Sequence, residues 1–81
     1  MTESTPEARR AKMLADWQAA VDDQAAWLAD PEVYWTSLVE QAKEARREGV
    51  IDADDLREQL ELADAAYSWA AEELITLELN Q

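Results

Sequence analysis

Carboxylates are the only side chains in this sequence numerous and regular enough to suggest chemistry. Asp55, Glu58, Glu61 and Asp64 recur at every third position, and facing carboxylates can hold a divalent cation or exchange protons. On one helix, however, a spacing of three drifts by about 60° per step. The row therefore winds around its rod and reads as a solvated acidic face. Nucleophilic catalysis has no starting point. With no His and no Cys, neither a Ser-His-Asp nor a Cys-His arrangement can be built, and Ser37 and Ser68 have no base in prospect. The usual zinc ligands are missing apart from carboxylates, and a single Gly cannot make a phosphate-cradling loop. The chain is expected to be no enzyme and to carry no cofactor or metal.

Two stretches resemble known ligand-binding segments. EARREGVIDADDLREQLE (44–61) looks like the back half of an EF-hand. Setting Gly49 at loop position 6 puts Arg46 where a Ca²⁺ oxygen ligand belongs and Asp55 where a bidentate Glu is needed, so calcium binding is not expected. The same segment resembles the helix–Gly–Ile–cap–helix turn of the short C-terminal (SHOCT-type) domains of bacterial proteins, a likeness of turn chemistry. Glu58-x-x-Glu61 and Glu61-x-x-Asp64 are similar to the pairs with which helical nucleotide pyrophosphohydrolases hold Mg²⁺. Such pairs face each other across helices, and here no Lys or Arg follows Arg57 to receive phosphates.

Composition limits what kind of scaffold could position these groups. At 81 residues the chain reads as a single helical domain (1–81) with a marginal core and no disulfide to help it. One Gly and two Pro among many Ala, Leu, Glu and Gln argue for an all-α fold. Seven basic residues face 19 acidic ones, a net charge of −12. Direct binding to nucleic acid or to an anionic membrane is disfavoured, because both rest on Lys and Arg. Cationic protein surfaces, including those that normally hold nucleic acid, are the favoured partners. No apolar run approaches the roughly 20 residues of a membrane span, and MTESTPEARR lacks a signal-peptide core. A cytoplasmic location is expected.

The spacing predicts a polar, disordered lead-in over 1–5 and helices over about 6–29, 31–48 and 53–79. Ser4 or Thr5 can cap the first helix, with Pro6 at its first position. Met13, Leu14, Trp17, Ala20, Val21, Gln24, Trp27 and Leu28 share one sector of it. Asp30-Pro31-Glu32 restarts the second helix, whose inner face is Tyr34, Trp35, Leu38, Gln41, Ala42 and Ala45. Gly49 suits a left-handed C′ position, and Asp52 caps the third helix. Leu56, Leu60, Ala63, Tyr67, Ala70, Leu74 and Leu77 then run as one seam. Short joins imply an up-down-up three-helix bundle with a long C-terminal helix.

That connectivity has a charge consequence. Arg9, Arg10, Lys12, Lys43, Arg46 and Arg47 share one pole with Asp52, Asp54 and Asp55. Asp22, Asp23, Asp30, Glu32, Glu72, Glu73 and Glu78 gather at the other. Leu62 and Trp69 point away from the seam, with Ile75 on a further flank, and only two other helices are expected to cover them. Exposed Leu and Trp at helical spacing suit an interface. The sequence therefore reads as an acidic interaction module whose acidic pole and outer C-terminal helix face meet a basic partner. In size and charge it is similar to small acidic helical proteins of phages and mobile elements, including some anti-CRISPR and anti-restriction proteins, which implies an inhibitor or nucleic-acid mimic. Arg in excess of Lys suits a GC-rich bacterial or phage origin. The alternative is a homodimeric structural or regulatory subunit, paired through Leu62, Trp69 and Ile75, whose acidity serves solubility.

Overall fold

A computed structural model describes residues 5–80, which form α1 (Pro6–Val21), α2 (Gln24–Ala29), α3 (Pro31–Arg47) and α4 (Ala53–Leu79). The fold is all-α, and among the described residues no helix is long and apolar enough to cross a membrane. The lead-in over 1–4, with Ser4 as a candidate cap, lies outside the described residues. Thr5 is the cap: its Oγ1 accepts the Ala8 amide at 3.0 Å, and Pro6 opens the helix.

The single helix expected over 6–29 is two helices, so the three-helix arrangement becomes one of four. Asp22 ends α1, and Asp23 leaves helical geometry (φ −77°, ψ 90°) to cap α2, its carboxylate accepting from the Ala26 amide at 3.1 Å. Asp competes poorly for a helix interior and well for an N-cap. The carbonyls at the break take donors from side chains beyond it, that of Ala20 in addition to the Asp23 amide at 3.1 Å. Trp27 Nε1 donates to the Val21 carbonyl at 2.8 Å, and Tyr34 Oη to that of Ala20 at 2.6 Å. Those two rings meet edge to face, 5.0 Å apart. Gln24, expected in the inner sector, is turned to solvent by the break.

Asp30 then restarts the chain as α3, capping the Val33 amide at 3.2 Å with Pro31 behind it. At the far end Gly49 takes φ 75°. The Val50 amide reaches back to the Ala45 carbonyl at 2.9 Å and that of Gly49 to Arg46 at 3.1 Å, the paired bonds of a Schellman stop. Asp52 and Asp55 begin α4 with a reciprocal box: Asp52 accepts the Asp55 amide at 2.8 Å, and Asp55 accepts that of Asp52 at 3.2 Å.

α1 runs against α3, since Trp17 meets Leu38 and, further along α1 and further back on α3, Ala20 meets Tyr34. The turn at Gly49 folds α4 back along α3, where Asp64 meets Trp35, and the short α2 lies against both α3 and α4. The core gathers Trp17, Val21, Trp27, Leu38, Val39, Ala42, Ala63 and Ala70. Trp17 stays satisfied inside it by donating from Nε1 to the Leu38 carbonyl at 2.9 Å. On α3 the inner face includes Val39, whereas Gln41 is exposed and bonds Ser37. α4 also buries two polar side chains, Asp55 and Gln59. The molecule is elongated, 54 × 26 × 15 Å. Its radius of gyration of 14.8 Å exceeds the roughly 12 Å of a compact chain this long.

Candidate functional site

All seven basic residues (Arg9, Arg10, Lys12, Lys43, Arg46, Arg47 and Arg57) belong to the start of α1, the end of α3 or the start of α4. The antiparallel order puts those three segments at one pole. Here the cations are largely spent on neighbouring acids: Lys12 with Asp16 at 2.8 Å, Arg57 with Asp54 at 3.3 Å, Arg47 with Glu44, and Arg10 with Asp55. The opposite pole is built from the end of α1, α2, the start of α3 and the last third of α4. From Met13 to Ala42, and again after Arg57, the sequence holds no Lys or Arg.

The anticipated contact residues fall in three groups. Asp22, Asp23, Asp30, Glu32, Glu72, Glu73 and Glu78 are all exposed on the elements of the acidic pole. Asp23 and Asp30 are tied up as caps, and Asp22 accepts from Gln18 at 3.1 Å. Ile75 is 56% exposed and has bare company in Leu77 (53%) and Leu79 (79%). Leu62 is 40% exposed near the middle of α4. Trp69 differs from expectation. It is half-buried against the core and shares a shallow depression with Val21, Asp22, Trp27 and Ala66. The break at Asp22-Asp23 supplies the extra cover, because α2 swings Trp27 over that side of α4. Apolar exposure thus moves from Trp69 to the tip of α4, where every residue from Ile75 to Asn80 is exposed.

The four carboxylates spaced at three do not converge, and among the described residues no group of three or more acids is placed to hold a metal ion. Asp55 is buried and structural. Arg10 grips it with two bonds, Nε to Oδ2 at 2.8 Å and Nη2 to Oδ1 at 2.6 Å. That hydrogen-bonded guanidinium, helped by bonds from Asp52 and resisted by burial, holds the Asp55 carboxyl down at about 2 against an ordinary 3.8. Glu58 and Glu61 face solvent beside Asp54 and Arg57. Asp64 accepts the Trp35 indole N–H at 2.9 Å.

That last bond belongs to an arrangement the sequence did not announce. Trp35 and Tyr67, expected as core, are half-buried walls of an open cleft of about 510 Å³ between α3 and α4, completed by Glu32, Thr36, Asp64 and Ser68. Their rings sit 6.4 Å apart at 66°. Its six lining residues, three from α3 and three from α4, come together only in the antiparallel register of the two helices, and a register drawn between the two apolar faces is the signal that could have found it. Compared with models of protein families, with curated proteins and with solved structures, the chain matches none.

Proposed function

We propose that this protein is a non-enzymatic acidic interaction module that docks its acidic pole onto a basic surface of another protein, acting as an inhibitor or nucleic-acid mimic in which carboxylates stand in for phosphates. One observation carries the reading: the seven cations gather at one end, where four of them pair with acids, so the other end presents unneutralised charge. A field of one sign steers encounter with an oppositely charged partner and rejects like-charged ones. The bare Ile75, Leu77 and Leu79 add apolar area beside it.

The test is capture of basic proteins by the wild-type chain and by a triple reversal, Glu72, Glu73 and Glu78 each →Lys, at several salt concentrations. Capture that falls steeply between about 0.05 and 0.2 M salt and vanishes in the triple variant supports the reading. Capture that ignores both salt and the reversal overturns it.

A second reading, a homodimeric structural or regulatory subunit, is favoured by the same three apolar side chains. Against it, a two-fold at the tip of α4 brings Glu72, Glu73 and Glu78 of both copies together with no counter-charge. Light scattering on the eluting protein decides: a dimer that Ile75→Glu dissolves establishes the second reading.

A further inference from the structure

We infer that the cleft between α3 and α4 seats an arginine side chain of the basic partner, an inference that rests on the docking reading above. Its walls are aromatic, from Trp35 and Tyr67, and its rim is acidic, from Glu32 and Asp64. No Lys or Arg lines it. The one hydrogen bond recorded among the lining side chains, Trp35 Nε1 to Asp64 Oδ1, orients the carboxylate and leaves Oδ2 free to accept. Both rings thus line the cleft beside carboxylates that no cation compensates, and an aromatic wall next to such charge attracts a cation.

The shape favours guanidinium over ammonium. A planar head can lie on an indole or phenol face while its N–H groups reach a carboxylate, whereas an ammonium offers a compact, strongly hydrated charge. The cleft also continues onto apolar surface. Asp64, Ser68, Ala71, Ile75 and Leu79 step along one flank of α4, so a segment anchored at Asp64 can lay apolar side chains on Ile75 roughly 16 Å further along. The occupant is thus a basic stretch of a protein with an arginine anchor and apolar residues beyond it. The cations of the other pole serve no such role, since the comparable cleft between α1 and α3 is lined by Arg9 and Lys12 together with Asp16, Glu44 and Glu48.

The experiment compares nona-arginine with nona-lysine, probes of equal charge, while following the indole N–H resonances of ¹⁵N-labelled full-length protein. Nona-arginine should bind about tenfold more tightly, and the Trp35 indole signal should shift saturably with it and barely with nona-lysine. Asp64→Asn and Trp35→Phe should erase the preference, while Glu58→Gln, an equal loss of charge outside the cleft, should keep it. Equal binding of both probes with Trp35 unmoved overturns the arginine seat and leaves the docking reading intact. Binding of neither overturns both.

Discussion

The two poles of this molecule are made from the same residue types and put them to opposite uses. At the mixed pole, carboxylates are structural. Asp52 and Asp55 start α4, and Arg10 from α1 closes on Asp55 with two short bonds. At the acidic pole the carboxylates of Asp23 and Asp30 start helices, but Glu32, Glu72, Glu73 and Glu78 form no recorded ion pair among the described residues. At the mixed pole, charges therefore add one ion pair across helices, Arg10–Asp55, to the packing. The acidic pole holds together in spite of its charges, through Trp27, Tyr34 and the core beneath. What separates the two poles is the charge that the fold leaves uncompensated at the acidic one.

The most severe way to break this contrast is Trp27→Ala. The side chain is 1% exposed, roofs the core and donates to the carbonyl that ends α1. Removing it should cost about 3–5 kcal/mol, much of the roughly 4–12 kcal/mol expected for a domain of this length, and should expose Trp69. Circular dichroism during heating reads the loss, and the fluorescence of the remaining indoles should shift to the red.

Next in size is Asp55→Asn, which dismantles the mixed pole. It removes a charge-assisted bidentate pair and half of a capping box, for an expected loss of about 2 kcal/mol. It also has a pH signature. The folded chain holds the Asp55 carboxyl at about 2 instead of 3.8, so it favours the ionised form. Its stabilisation is complete above the ordinary value and disappears as pH falls through about 2. Denaturant midpoints measured from pH 5 to pH 2 should therefore fall in the wild type more than in the variant. Equal slopes would mean that the carboxylate is not held by Arg10.

A smaller change should go the other way. Gln59 is 3% exposed at a position otherwise apolar, with Nε2 against the Met13 sulfur at 3.5 Å and Oε1 without a protein partner. Gln59→Met keeps the volume and removes the unsatisfied oxygen, and should raise stability by about 1 kcal/mol. Smallest of all, Ile75→Ser with Leu79→Ser should change stability by less than about 0.5 kcal/mol while weakening partner capture. A large drop in melting temperature would show that the tip of α4 is packed and not available.

Local chemistry was legible in the sequence wherever it was self-contained. Thr5-Pro6, Asp30-Pro31, Gly49 and Asp52 each mark a helix end by their own side chain or φ angle, and each lies at such an end. Asp22-Asp23 carries the same kind of signal inside an unbroken apolar period, and the period masked it. What tips the balance there is tertiary, because Trp27 and Tyr34 bring donors to the carbonyls that the break exposes. The error propagated. Without α2 as a separate piece, Trp69 has no cover and reads as an outward anchor. The acidic pole followed from connectivity and survives the added break, since a short α2 leaves the directions of α1, α3 and α4 unchanged. The cleft did not follow, for Trp35 looks like core and Asp64 like one member of a solvated row until α3 is laid on α4. Asp55 and Gln59 were hidden for a related reason: a buried polar side chain is explained by its partner, and both partners lie more than 40 positions away.

Because α4 is one uninterrupted helix clamped at its beginning and bare at its finish, its backbone amides should not open as a unit. Those beneath α1 and α3, from Leu56 to Ala70, should exchange with deuterium only when the whole chain unfolds, while those beyond Ile75 exchange through fraying. A single helix would then hold both slow and fast protons, and a bound partner would announce itself by slowing the second set.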